Sequence, residues 1–255
     1  MDVKRILRDR AIKADKSRDQ YFLIDDGVAQ RMAEYAGVEE DDVVLEIGAG
    51  LGSVTDKLER KAKRVYAVEK DKALCKILKE QYGDEKYVID LIEGDIMRIE
   101  LPEFDKVVAS IPFSLSSPIT FKLLLHNFGL AVLLYQKEFA QKMIAKPGSN
   151  LYGRLSVTAQ ALADIEVLEI VHRDAFYPPP NVKTAIVRLV ENEKWLVADK
   201  QKFFEFVTAA FSNRRKKMKN IFKTSIGRMT LEDLEKRPEE LSPDEFVKLS
   251  TNLLG

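Results

Sequence analysis

The sequence predicts an α/β protein, built on a mostly parallel sheet covered by helices, with an antiparallel edge and a small α-helical domain at the C-terminal end. Three features lead to this class. Short apolar runs alternate with amphipathic segments as far as residue 191, a glycine-rich turn follows the first strong run, and beyond residue 192 the strand pattern gives way to helical spacing. A chain of 255 residues holds one full-size α/β domain and leaves room for a smaller one, so the expected division is 1–191 and 192–255.

The elements follow in order. Residues 1–19 are polar and strongly basic (Lys4, Arg5, Arg8, Arg10, Lys13, Lys16, Arg18), with weak helical periodicity, and form either a frayed arm or a basic arm that touches RNA. Asp26 is placed to cap a helix running to Tyr35. Residues 43–47 form a buried strand ending in glycines, 51–61 a helix, 64–69 a strand, 72–81 a helix, and 87–93 a third strand. A fourth strand, 105–110, stops at a proline; helix 118–125, strand 130–135 and helix 137–145 follow. Strands alternating with helices at this spacing require crossovers, hence a parallel sheet buried on both faces. The stretches 165–171 and 184–190 flank the proline-rich turn Tyr177-Pro178-Pro179-Pro180 and are expected to pair antiparallel at the edge. Phe203, Phe206, Val207 and Ala210 keep helical spacing, and the remaining tail reads as short helices.

Composition narrows the function. Hydrophobic residues make up 45% of the chain, enough for a core, and no apolar run reaches the ~18 residues of a membrane helix. The N-terminus alternates charge instead of forming a signal-peptide core, so a cytoplasmic location is expected. One cysteine, Cys75, and two distant histidines, His126 and His172, point away from disulfides and from a metal site. Cys75 lies in a helix and reads as a packed residue and not a nucleophile, as do Phe139 and Met143 at helical spacing. With 41 basic and 41 acidic residues the net charge is zero, so any nucleic-acid surface must come from local segregation of charge. The clearest segregation is Arg214-Arg215-Lys216-Lys217, within a run of five cations in six residues that reaches Lys219; it reads as an RNA phosphate contact, against the plainer reading of a solvated helix end.

The most informative segment is Glu46-Ile47-Gly48-Ala49-Gly50-Leu51-Gly52-Ser53. A strand running into a glycine loop and then a helix is where an open α/β sheet binds its ligand. A dinucleotide fingerprint has the spacing G-x-G-x-x-G, whereas here the third glycine comes one residue early. Together with the acid at Glu46, this spacing better suits a ligand without phosphate, namely S-adenosylmethionine, whose amino and sulfonium cations favour a negative field. Glu69 ends the second strand, 17 residues beyond Gly52, where a carboxylate accepts the hydroxyls of an adenosine ribose. Gly94-Asp95 follows the third strand and offers an acceptor for the adenine amino group. Either acid alone reads as a helix cap, but acids at three successive strand ends, with the neighbours Lys70 and Ile96, read as a cofactor site.

The fourth strand ends in Ser110-Ile111-Pro112-Phe113. The lone pair of an adenine amino group is delocalised into the ring, so an enzyme that alkylates it must hold the amine with acceptors that aim the lone pair at the methyl donor. A rigid proline turn supplies a backbone carbonyl at Ile111 and a side-chain oxygen at Ser110, which also faces the cofactor side; Phe113 supplies a stacking ring for an extruded base. Without other knowledge this is a strand-ending turn with a core phenylalanine.

In this order the motifs resemble the small-subunit rRNA adenine N6,N6-dimethyltransferases, the KsgA-type enzymes, and most closely their compact archaeal and eukaryotic branch. The resemblance covers most of the chain: Gln20-Tyr21-Phe22-Leu23, similar to the family's Gln-Asn-Phe-Leu; the glycine loop, Glu69 and Gly94-Asp95; Tyr152-Gly153-Arg154-Leu155-Ser156-Val157; Phe176-Tyr177-Pro178-Pro179-Pro180-Asn181-Val182; and Phe211-Ser212-Asn213-Arg214-Arg215-Lys216. The resemblance implies a Rossmann-like methyltransferase fold. It also implies that Gln20 and Leu23 line the cofactor pocket, that Phe113 and Phe176 sandwich the target adenine, and that Arg214, Arg215 and Lys216 contact RNA. The implied reaction converts S-adenosylmethionine to S-adenosylhomocysteine while methylating, twice each, two adjacent adenosines near the 3′ end of small-subunit rRNA in an immature 30S-type particle. A monomer without metal is expected.

One departure bears on rate. The family turn reads Asn-Leu/Ile-Pro-Tyr, whereas this chain has Ser110 and Phe113. Phenylalanine keeps the stacking face, but serine shortens the acceptor, which predicts an active but slowed enzyme. Two other functions share many of these features: a large-subunit adenine methyltransferase of the antibiotic-resistance type, and an RNA-binding assembly factor with weak or lost chemistry.

Overall fold

A computed structural model describes residues 2–192, 197–222 and 234–254. Chain contacts divide it into two compact units, one of residues 1–123, 128–137 and 166–190, the other of 124–127, 138–165 and 191–255.

The first unit opens with α1 (Val3–Asp9), capped by Asp2, whose carboxylate accepts from the Arg5 amide. The basic arm is therefore not frayed. Val3 and Leu7 are buried with Phe22, Leu51, Leu74 and Ile77, while Lys4, Arg5 and Arg8 face solvent. A 3-10 turn at Lys16–Arg18 leads into β1 (Phe22–Leu23), and α2 (Asp26–Tyr35) follows, capped by Asp25 and not by Asp26. The sheet elements come next: β2 (Val43–Ile47), α3 (Thr55–Leu58), β3 (Arg64–Glu69), α4 (Lys72–Tyr82), β4 (Ile89–Glu93), β5 (Lys106–Ser110), α5 (Ser116–Leu125) and β6 (Leu130–Gln136). The helix expected over 51–61 shrinks to α3, because Gly50 and Gly52 hold positive φ and delay its start.

The strand order is β4-β3-β2-β5-β6-β9-β7, with β7 (Ala163–Val171) at the edge and β9 (Thr184–Glu191) beside β6. β4 through β6 pair in parallel, and β9 runs antiparallel to β6. The centre of the sheet is buried on both faces, so β2 and β6 are almost continuous apolar runs, as a helix-covered parallel sheet requires. The chain starts at β2, builds outward to β4, then crosses back to β5 on the other side of β2. That reversal opens a crevice between the carboxyl ends of β2 and β5, where ligands of such sheets sit. A separate two-stranded ribbon pairs β1 with β8 (Phe176–Tyr177), Leu23 opposite Phe176.

The second unit is larger than the expected segment 192–255. It also takes in α6 (Lys137–Met143), from residue 138, and α7 (Arg154–Leu162), a helix the sequence did not announce. These join α8 (Lys200–Ser212), the short α9 (Met218–Ile221) and the closing helix Pro243–Leu254. Part of the tail expected to form short helices, 223–233, lies outside the described residues. Phe203, Phe206, Val207 and Ala210 are buried, so the periodicity correctly marked the inner face of α8. The Tyr152 hydroxyl donates to the Leu241 carbonyl at 2.7 Å within this core.

Candidate active site

A cavity of about 740 Å³ occupies the crevice between β2 and β5, toward the large end of the ~300–1,000 Å³ typical of small-molecule sites. It is built by strand ends. β2 delivers Gly48 and Gly50 at φ +74° and +62°, a backbone region that any side chain would strain. A Cβ on Gly48 would lie 3.7 Å from the Ser110 carbonyl oxygen and 3.8 Å from the Pro112 ring, so the glycine loop faces the 110–113 turn across a narrow gap. The loop is tied to β3 by the amides of Gly48 and Ala49, which both donate to the Val68 carbonyl.

β3 delivers Glu69. Its Oε2 accepts from the Gly50 amide at 2.9 Å, and its Oε1 accepts from the amides of Lys70 and Asp71 at 2.8 Å each. Burial pushes this carboxyl upward, and the three amides oppose that shift by favouring the charged form. Asp71 caps α4 by accepting from Ala73 and Leu74. β4 leads to Asp95, whose Oδ2 pairs with Lys70 at 2.8 Å and whose Oδ1 accepts from the Met97 amide. The Lys70 hydrogen bond chiefly holds the Asp95 carboxyl below the usual range. Lys122 on α5 pins the same loop by donating to the carbonyls of Ile96 and Ile99 at 2.7 and 2.6 Å.

β5 delivers the turn. The Ile111 amide donates to the Leu134 carbonyl at 3.2 Å, extending the ladder by one residue, before Pro112 ends it and Phe113–Leu115 makes a 3-10 turn. The ring of Phe113 stacks on Tyr21, centroids 5.2 Å apart and planes 25° from parallel. Phe176 reaches the cavity from the β1–β8 ribbon.

Gln20, Leu23, Gly48, Gly50, Glu69, Lys70, Asp95, Ile96, Ser110, Ile111, Pro112, Phe113 and Phe176 thus line one cavity, although they are scattered through the sequence. Two expected cofactor residues do not line it. Glu46 is 2% exposed and turns its carboxylate to the Thr55 hydroxyl at 2.6 Å, because alternation along β2 sends it behind the loop. Gly52 has φ +90°, and a Cβ there would sit tightly at 3.1 Å from the Tyr82 ring; backbone conformation and packing on α4 together explain this glycine. Asp19, Tyr21, Ser53 and Asp71 also line the cavity, and nothing in the sequence singled them out as site residues. Only their neighbours in the Gln20-to-Leu23 and glycine-loop motifs could have drawn notice.

The four basic candidates lie in the second unit. Arg214 pairs with Glu239, and Lys217 pairs at 2.6 Å with Glu235, which it shares with Lys219. Arg215 and Lys216 are exposed and have no ion-pair partner among the described residues.

Burial pushes the Glu46 carboxyl up to about 8, against the lowering effect of Thr55. Below the ordinary glutamate value both folded and unfolded chains carry the proton, and this residue adds no pH dependence. Between that value and pH 8 the unfolded chain releases a proton the folded one keeps, so stability falls as pH rises, by up to about 1.4 kcal/mol per pH unit. Glu46→Gln keeps an acceptor for Thr55 and removes the titration. Urea unfolding at pH 5, 7 and 9 is expected to show the variant gaining on the wild type at each step, and parallel stability profiles would refute this.

The whole chain is similar to proteins already described. A family model described as ribosomal RNA adenine dimethylase matches residues 11–252. A probable ribosomal RNA small subunit methyltransferase A of Methanococcoides burtonii is 40% identical, the match covering 97% of this chain and 96% of that one. Its namesake in Thermococcus onnurineus is 38% identical, with 95% and 93% covered. Among solved structures, a dimethyladenosine transferase from Plasmodium falciparum superposes with a TM-score of 0.79 at 29% identity, covering 89% of this chain and 95% of that one. The 23S rRNA methyltransferase ErmE gives 0.69 at 26%, with 92% and 100% covered. The chain belongs to the ribosomal RNA adenine dimethylase family.

Proposed function

We propose that the protein transfers methyl groups from S-adenosylmethionine to the N6 amino groups of two adjacent adenosines near the 3′ end of small-subunit rRNA, acting on an immature 30S-type particle. The observation that carries this is the meeting of Gly48, Gly50, Glu69, Asp95 and the 110–113 turn around one cavity at the reversal point of the sheet. The small-subunit relatives are 40% and 38% identical, against 26% for the 23S enzyme, which favours the small-subunit target.

The residues present suit the cofactor. The left-handed backbone at Gly48 and Gly50 leaves a surface without side chains. Glu69, with two amides on Oε1 and one on Oε2 already in place, keeps one lone pair on Oε2 for a ribose hydroxyl. Asp95, held ionised, is an acceptor for an amino group, and Gln20 and Leu23 also line the cavity. When bound, the cofactor supplies an electrophilic methyl group on a sulfonium.

The chain's own part is positioning. Phe113 and Phe176 give apolar faces for a base removed from its helix. The Ser110 hydroxyl and the Ile111 carbonyl accept the two amino hydrogens and so aim the nitrogen lone pair along the line of transfer. No strong base is required, because the amino proton becomes acidic as the new N–C bond forms. Arg215 and Lys216 carry the uncompensated charge for RNA phosphate, with Arg214 and Lys217 beside them.

The test is mass spectrometry of 30S rRNA fragments after incubation with protein and S-adenosylmethionine. Dimethyladenosine at two neighbouring positions near the 3′ end is the expected result. Fragments without methylation, or a product confined to 23S rRNA, would refute the proposal.

A further inference from the structure

The segment Asp15–Leu23 forms a strap along one side of the cavity. Asp15 caps its 3-10 turn through the Ser17 amide, and Asp19 adopts the left-handed conformation at φ +56°, reversing the chain. Its anchors lie on the cofactor side. Gln20 Oε1 accepts from the Asp15 amide at 2.9 Å, and its Nε2 donates to Asp71 at 3.3 Å. Phe22 is buried with Leu51 and Leu74, and the Ser53 hydroxyl donates to the Leu23 carbonyl at 2.7 Å. None of these contacts involves the 110–116 turn.

The strap nevertheless touches that turn twice. The Ser114 amide donates to Asp19 Oδ2 at 2.7 Å, supplying an acceptor for an amide at the start of a 3-10 turn that has no carbonyl behind it. Two residues on, the Tyr21 ring lies against one face of Phe113. We infer that Asp19 and Tyr21 are positioning residues, a clasp that holds Phe113 in the orientation in which its uncovered face receives the target purine. The inference rests on the adenine methyltransferase reading and deepens it. A phenylalanine on a three-residue turn has soft side-chain torsions, and a ring ordered beforehand does not have to be ordered by the substrate. The hydroxyl of Tyr21 has no part in this; the stacking face is what acts. Because the strap is anchored to the glycine loop and α4, the clasp also links the orientation of the base platform to the wall of the cofactor site.

The test combines single-turnover methyl transfer to saturating 30S particles with calorimetric titration of S-adenosylmethionine. Tyr21→Ala is expected to slow transfer by about 2- to 12-fold, the range of an aromatic pair, with cofactor affinity kept. Tyr21→Phe recovers the loss, and Asp19→Ala slows transfer through the other contact. In a Phe113→Ala background, Tyr21→Ala costs nothing further. Wild-type rate in Tyr21→Ala, or a full additional loss in the double variant, overturns the clasp while leaving the proposed function standing. Absence of transfer by the wild-type protein overturns both.

Discussion

Replacing Glu69 by alanine is expected to weaken S-adenosylmethionine binding by about 10- to 10²-fold, and transfer with it. A ribose hydroxyl donating to the lone pair left on this buried carboxylate is worth ~1.5–3 kcal/mol. The substitution also strips the Gly50, Lys70 and Asp71 amides of their acceptor, so the glycine loop loses its link to the end of β3. Glu69→Gln is the informative companion. It keeps one carbonyl oxygen but brings an NH₂ toward amides that already donate, and it should fall between alanine and wild type. Calorimetric titration measures the affinities, and circular dichroism verifies that the sheet persists. An alanine variant binding as tightly as the wild type would remove Glu69 from the cofactor site.

The second large effect runs the other way. Ser110→Asn is expected to raise the rate of transfer by about 10²-fold, the lower end of what one well-placed transition-state hydrogen bond contributes, with cofactor affinity little changed. Ser110 lies at the last rung of β5, opposite Leu134, and lines the cavity. The strand end is fixed by the ladder and by Pro112, so a longer side chain there gains reach without moving the backbone. An amide oxygen extends further toward a stacked base than the serine hydroxyl does. The comparison needs single-turnover rates on saturating 30S particles, because multiple-turnover rates also contain product release. If the asparagine variant is no faster, serine already makes the full contact, or the Ile111 carbonyl suffices alone.

The fold class was legible in the order of residues, and so were most of the residues that meet around the cavity. Apolar runs such as 43–47 and 130–135 specify strands buried on both faces, because strands between two layers of helices have no polar side to show. Gly48 and Gly50 were legible because few other residues accept their backbone, and Glu69 and Asp95 because they end strands. Which face each side chain takes, and what it meets, was settled by packing. Glu46 belongs to the glycine motif yet points to Thr55, since strand alternation turns neighbours to opposite sides. Gly52 answers to Tyr82 on a helix that begins 20 residues later, in contacts no local pattern encodes. The α7 helix escaped a reading based on strand and helix periods because six of its nine residues are buried, leaving no polar stripe. Likewise, that Arg214 and Lys217 meet Glu239 and Glu235 while Arg215 and Lys216 stay exposed depends on segments brought together only by folding. Periodicity and backbone permissiveness are local properties, written into the order of residues; partnership between side chains is not, because it depends on distances that exist only once the chain is packed.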